Sequence, residues 1–183
     1  MRIILVGMKG CGKTTLGRLF ANKMQIAFID SDAYVEKMYE QESGEALPFR
    51  EIFKKYGGDY FSALDTKALR HIAKEFDNRD FVFACGGRTP LLQENQEILS
   101  RLGKIVFLEV EKAVLLKRIL AQGVPAFFSY QDDPARSLDE LLAERAPVYS
   151  RLADITIDAS NEASEELIDT ILVKLRDHGK NQW

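Results

Sequence analysis

The stretch that decides the fold is Gly7-Met8-Lys9-Gly10-Cys11-Gly12-Lys13-Thr14, which matches the pattern glycine, four residues, glycine, lysine, then serine or threonine. It follows Arg2–Val6, an aliphatic run that predicts a strand buried on both faces. From Thr14 to about Met24 the apolar residues recur every three or four positions, which predicts a helix. A glycine-rich loop between a strand and a helix is the usual context of a phosphate-binding loop.

The residue types of this loop explain how it would hold phosphate. Glycines permit positive φ values that turn successive amide N–H groups toward phosphate oxygens. We therefore predict that the nucleotide is bound by a contiguous set of residues: Gly10, Cys11, Gly12, Lys13, Thr14 and Thr15. The Lys13 ammonium would act in catalysis at the β- and γ-phosphates, and the Thr14 hydroxyl would help to bind Mg²⁺.

Two sequence features favour ATP as the nucleotide. The segment Asn22-Lys23-Met24-Gln25 lacks the final aspartate of a guanine-specific Asn-Lys-x-Asp box. The predicted strand 81–85 runs directly into Gly86, so it does not end in the Asp-Glu pair of motor-type ATPases. Together, these two features favour a small ATP-dependent kinase.

The rest of the chain alternates short apolar runs with helical stripes, as in α/β proteins with a parallel sheet. Further strands are predicted at Ala27–Asp30, 105–110 and 155–157. After Gly57-Gly58, the clearest helix begins at Asp59 with apolar residues spaced by three or four, and a last helix covers about 163–176. Residues 123–138 hold two prolines and no sustained period, which predicts a mobile loop.

Composition narrows the class of protein further. The 183 residues carry a formal net charge of −3, which leaves no basic surface for nucleic acid. No window approaches the roughly 18 consecutive apolar residues of a membrane span, and the first apolar run is too short for a signal peptide. We expect a cytoplasmic protein with a single domain over 1–183, no nucleic-acid or membrane partner and, as is common for kinases of this size, a monomeric state.

The two cysteines, Cys11 and Cys85, have no metal-ligand spacing. In a cytoplasmic chain they are expected to be reduced. Because each belongs to a glycine-rich segment of the expected cleft, a reversible disulfide that closes the nucleotide site is a second hypothesis.

Asp30 and Asp32 follow the second predicted strand, at the sheet edge where ligands gather in open α/β folds. We predict that Asp30 holds Mg²⁺ through water. Asp32 would orient an acceptor hydroxyl and take its proton as the γ-phosphoryl group leaves ATP. The alternative is that Ser31 or Asp32 only caps the next helix.

Several segments together resemble the shikimate kinase family in order and spacing. They are the phosphate loop, Phe28-Ile29-Asp30-Ser31-Asp32, Ile52-Phe53 followed by Gly57 and Phe61, Cys85-Gly86-Gly87, and Glu144-Arg145-Ala146-Pro147-Val148-Tyr149. The resemblance covers nearly the whole chain. It implies a P-loop NTPase-type three-layer α/β sandwich with a five-stranded parallel sheet in the order 2-3-1-4-5, together with ATP and Mg²⁺.

The resemblance also implies roles for parts of the chain. Residues 31–65 would form an acceptor-binding subdomain, and residues 123–138 would form a lid over the nucleotide. Asp32 would bind the acceptor hydroxyls, Gly86 and Gly87 would line the acceptor pocket, and Arg145 would grip the carboxylate of shikimate.

Three positions depart from the family pattern. Shikimate kinases have arginine where this chain has Ser62, arginine before the lid proline where it has Val124, and a third glycine where it has Arg88. Guanidinium groups are the best partners for a carboxylate. Either Arg88 therefore enters the acceptor pocket and rebuilds the clamp, or the acceptor is a different, less anionic hydroxylated metabolite.

Two further alternatives concern transfer itself. Arg136 is a candidate substitute for the lid arginine, against the alternative of a solvated surface charge. A nucleotide-binding regulatory module without transfer activity is the third hypothesis for function, although such a module would not need Asp32.

Overall fold

Five parallel strands form one sheet in the order β2-β3-β1-β4-β5. The structure is a computed structural model that describes residues 1–125, 127–161 and 163–180, so Ala126, Glu162 and 181–183 of the expected domain lie outside the described residues. The strands are β1 (Arg2–Val6), β2 (Ala27–Asp30), β3 (Phe81–Ala84), β4 (Lys104–Glu109) and β5 (Ile155–Asp158). The fold class and strand order implied by the family resemblance are confirmed.

Helices lie on both sides of this sheet. They are α1 (Lys13–Met24), α2 (Ser31–Ser43), α3 (Phe49–Glu75), α4 (Gln93–Leu102), α5 (Lys112–Leu120), α6 (Pro134–Leu152) and α7 (Glu165–Lys180), with a 3-10 turn at Thr89–Leu91. None of the helices in the described parts of the chain is both long and apolar enough to cross a membrane.

Helix α3 consists of two segments that meet at a break. Gly57 has φ 82° and ψ 179°, a left-handed backbone conformation that favours glycine and interrupts the helix. The predicted division of this region at Gly57-Gly58 is therefore correct. The two segments of α3 pack on each other and on α2. Their contacts form an apolar cluster that is separate from the main core: Val35, Met38, Tyr39, Ile52, Leu64 and Ala68. The acceptor-binding subdomain over residues 31–65 stays a prediction, and this cluster extends past its boundary to Ala68.

The loop prediction for residues 123–138 is wrong at its end, because α6 begins at Pro134. The Asp133 carboxylate accepts a hydrogen bond of 3.1 Å from the Arg136 N–H, and proline occupies the first turn. Aspartate followed by proline begins a helix here. The aspartate caps the first turn, and proline has no N–H group, so it leaves no donor unpaired at the first helical position. Of the expected lid, residues 123–133 are not helical where described, and Ala126 lies outside the described residues.

Candidate active site

The phosphate loop leads from the end of β1 into α1. Gly7 has φ 146°, and a Cβ atom there would lie 2.7 Å from the Leu108 carbonyl oxygen, so only glycine fits against β4. Gly12 has φ 98° and directly precedes α1, whose first turn has no side-chain cap. Uncapped N–H groups at a helix N-terminus favour a bound anion.

Two side chains of the loop have defined partners. The Lys13 ammonium donates to the carbonyl oxygens of Gly7 and Met8, at 2.8 and 2.9 Å. The Thr14 hydroxyl donates to a carboxylate oxygen of Asp30 at 2.8 Å. The structure therefore brings together the two residues predicted to bind Mg²⁺.

Asp30, and neither Ser31 nor Asp32, caps α2. Its Oδ1 accepts hydrogen bonds from the N–H groups of Asp32 and Ala33, at 3.1 and 3.4 Å. The sequence-based capping prediction is wrong because the cap is the last residue of β2, one position earlier than expected. The Asp32 carboxylate is consequently not used as the cap of α2.

Asp32 lies in an environment that disfavours its charge. Burial, reinforced by the neighbouring Asp30 carboxylate, raises the pKa of Asp32 from 3.8 to about 6, and the positive charge of Lys13 opposes this rise. A carboxylate with such a pKa is suited to exchange a proton with an acceptor near neutral pH.

The predicted acceptor residues meet at the loop after β3. A Cβ atom at Gly86 would lie 2.7 Å from the Thr89 hydroxyl oxygen, so a side chain there would displace the loop. A Cβ atom at Gly87 would lie 3.8 Å from an Arg145 terminal nitrogen, which places the guanidinium beside the loop. Arg145 is only 6% exposed, and its Nε lies 3.5 Å from the Glu144 carboxylate.

The proposed substitute arginines have different surroundings. Arg88 is exposed at the start of the 3-10 turn, beside Gly87. The Arg136 guanidinium lies 3.9 Å from the centre of the Tyr130 ring and 3.7 Å from the Glu140 carboxylate. These contacts within its own segment support the alternative that Arg136 is a surface charge.

Both cysteines are buried free thiols. Burial raises the pKa of the Cys85 thiol well above its ordinary value, so Cys85 is un-ionised at neutral pH. Cys11 lies 3.7 Å from the Lys13 ammonium. The reversible disulfide stays a hypothesis.

Three residues near the site were missed by the sequence analysis. Asp65 is a buried carboxyl on α3 that accepts a hydrogen bond of 3.2 Å from the Ser31 hydroxyl, and burial raises its pKa. Lys9 in the phosphate loop and Arg50 at the start of α3 interact electrostatically. Lys9 could have been identified from the sequence, because it is a cation inside a glycine-rich loop. Arg50 could not, because it lies far from that loop in the sequence and only the fold brings the two residues near each other.

The residues present fit a Mg²⁺ ion. In the described parts of the chain, no group of three or more His, Cys, Asp or Glu side chains is arranged as a metal cage. Mg²⁺ in nucleotide sites needs no such cage, because it takes most of its ligands from phosphate and water. One hydroxyl and one carboxylate, as in the Thr14–Asp30 pair, are a suitable protein contribution.

Comparison with known proteins gives a consistent result. The family model "Shikimate kinase" matches residues 9–176. The shikimate kinase of Bacteroides thetaiotaomicron is 37% identical over 82% of this chain and 83% of its own length. That of Caldanaerobacter subterraneus subsp. tengcongensis is 35% identical over 93% of each. The solved shikimate kinase from Acinetobacter baumannii in complex with shikimate superposes with a TM-score of 0.82 at 29% identity, covering 96% of this chain and 93% of its own.

Proposed function

The chain belongs to the shikimate kinase family, and on that premise we propose that it transfers the γ-phosphoryl group of ATP to a hydroxyl of shikimate, giving shikimate 3-phosphate. The observation that carries the assignment to this site is the position of Asp32. Its carboxylate follows β2 beside the phosphate loop, where its pKa responds to the charge of Lys13. This position supports a role for Asp32 as the proton acceptor of the substrate hydroxyl, near the cation that would bind the β- and γ-phosphates.

Each residue of the site has a role in this proposal. The amide groups of Gly10 to Thr15 bind the phosphates, and Lys13 stabilises the charge that develops as the γ-phosphoryl group departs. Thr14 and Asp30 hold Mg²⁺, which when bound neutralises charge on the β- and γ-phosphates. These contacts keep the phosphates in position for transfer.

Asp32 acts on the acceptor side. It accepts a hydrogen bond from the acceptor hydroxyl, orients that oxygen and takes its proton as the new O–P bond forms. Gly86 and Gly87 allow close approach of the acceptor, and Arg145 pairs with its carboxylate. Arg88 is a further proposed contact to the acceptor. Measuring the KM for the acceptor in the Arg88→Gly variant would test this contact.

The proposal also includes a cytoplasmic, monomeric enzyme with residues 31–65 and 123–138 acting as acceptor subdomain and lid. Buried free thiols at Cys11 and Cys85 are consistent with a reducing compartment. Light scattering of the purified protein at micromolar concentration would test the monomeric state.

Mass spectrometry of the acceptor tests the reaction directly. Shikimate incubated with Mg·ATP and the protein should gain one phosphoryl group, and Asp32→Asn should prevent that gain. Unmodified shikimate after prolonged incubation with an ATP-binding protein would overturn the assignment of the acceptor.

A further inference from the structure

Two cations near the acceptor side, Lys9 and Arg50, form no ion pair within the described residues. Lys9 is half-buried in the phosphate loop, and its ammonium lies 5.5 Å from the centre of the Phe127 ring. The Arg50 guanidinium lies 5.7 Å from the centre of the Phe49 ring. Within the described parts of the chain, neither cation forms an ion pair or a side-chain hydrogen bond. Their charges are therefore available to a ligand.

Lys9, Arg50 and Asp32 are electrostatic neighbours. Burial, followed by the positive charge of Arg50, lowers the pKa of Lys9, whereas the charge of Asp32 raises it. Like charges held close together destabilise the free protein, and an anion bound between them removes that repulsion. Because Asp32 is the residue predicted to bind the acceptor hydroxyls, an anion between Lys9 and Arg50 would belong to the acceptor.

The break at Gly57 explains how Arg50 reaches this position. It folds the two segments of α3 together, so that the Phe49 and Phe61 ring centres are 6.4 Å apart. The Phe49 N–H also donates to the Glu36 carboxylate at 2.8 Å, which fixes the start of α3 against α2. The Arg50 guanidinium faces the Phe49 ring, and Phe49 packs on Phe61, the residue before Ser62. These contacts link Arg50 to the segment where the family pattern has arginine.

We propose that Arg50, assisted by Lys9, binds the carboxylate of the acceptor together with Arg145, and so replaces the arginine absent at Ser62. The inference rests on the proposed function, because it names the residues that recognise the same acceptor. The groups that would bind the acceptor carboxylate then come from three parts of the fold: Arg50 on α3, Lys9 in the phosphate loop and Arg145 on α6.

Steady-state kinetics of Arg50→Gln test the proposal. The KM for shikimate should rise by about tenfold or more, as expected for loss of one charge-assisted pair, while the KM for ATP changes by less than about twofold. Lys9→Met should change the shikimate KM in the same direction by a smaller factor. Lys74→Gln is the matched control, because Lys74 is an exposed lysine at the other end of α3.

The methyl ester of shikimate shows whether the carboxylate is the group recognised. Arg50→Gln should leave the KM for the ester almost unchanged, because the ester carries no negative charge. The double variant Arg50→Gln with Ser62→Arg should recover much of the affinity for shikimate, which a merely structural role of Arg50 would not predict. Arg50→Lys should lie between the wild type and Arg50→Gln.

The outcomes separate this inference from the proposed function. A wild-type protein that does not phosphorylate shikimate overturns both. Two outcomes with an active wild type overturn the role of Arg50 alone. In one, Arg50→Gln leaves the KM for shikimate unchanged; in the other, it raises the KM for shikimate and the KM for the methyl ester by the same factor. A rise in the KM for ATP instead of shikimate would assign the two cations to the nucleotide and also overturn it.

Discussion

The Tyr149 hydroxyl donates a hydrogen bond of 2.5 Å to the carbonyl oxygen of Gly87, which joins α6 to the loop that follows β3. The same hydroxyl lies 3.9 Å from the sulfur of Met8 in the phosphate loop. Arg145 is one helical turn earlier on α6, beside the same loop. One buried tyrosine therefore fixes the acceptor loop, the phosphate loop and the helix that carries Arg145 relative to one another.

Tyr149→Phe should lower the free energy of unfolding by about 1–3 kcal/mol, because it leaves the buried Gly87 carbonyl without its partner. The KM for shikimate should rise as the loop loosens. Urea unfolding measures the first effect, with Tyr34→Phe as control, since Tyr34 loses only a more exposed hydrogen bond to Glu75. Equal losses in the two variants would contradict the role of Tyr149.

Asp32→Asn should stabilise the nucleotide-free protein while it prevents transfer. The folded-state pKa of about 6 exceeds the ordinary value of 3.8, so ionisation of Asp32 favours the unfolded chain. The resulting cost is absent at acid pH, grows as the pH rises from 3.8 to about 6, and reaches about 1–3 kcal/mol near neutrality.

Urea unfolding of both proteins in EDTA, from pH 4 to pH 7, measures this effect of Asp32. The stability of the variant and that of the wild type should converge at the acid end. A difference in stability that does not vary with pH would show that Asp32 ionises normally in the folded state.

Arg145→Lys should raise the KM for shikimate by about tenfold or more, because lysine keeps the charge but lacks the planar fork that pairs with a carboxylate. The KM for ATP should change little. Initial rates with each substrate varied in turn distinguish the two constants. A selective increase in the ATP constant would place Arg145 on the nucleotide side.

Gly17→Ala should destabilise the fold by about 1–3 kcal/mol through overpacking. A Cβ atom at Gly17 would lie 2.6 Å from the Phe28 ring, where α1 packs on β2. Gly58→Ala is the matched control, because its Cβ would meet only Phe53 at 3.8 Å and should gain about 0.5–1 kcal/mol from the smaller unfolded-state entropy. Thermal unfolding of the two variants should shift in opposite directions.

The features predicted correctly from sequence are those with local causes. The phosphate loop is specified by its own glycines, and β1 and β2 by short apolar runs, so their positions agree with the structure. The start of α6 was missed because Asp133-Pro134 is also a loop signal, and only the hydrogen bond to the Arg136 N–H distinguishes the two. The proximity of Arg50 to Lys9 was not predictable, because it depends on the break at Gly57 and on packing between α2 and α3.

The most direct test of the central claim is ADP release from Mg·ATP by the purified protein, with and without millimolar shikimate, and with Asp32→Asn as the control for contaminating kinases. We predict strong stimulation by shikimate in the wild type and none in the variant. ATP binding with no stimulation by shikimate, or stimulation that persists in Asp32→Asn, would contradict the proposed function.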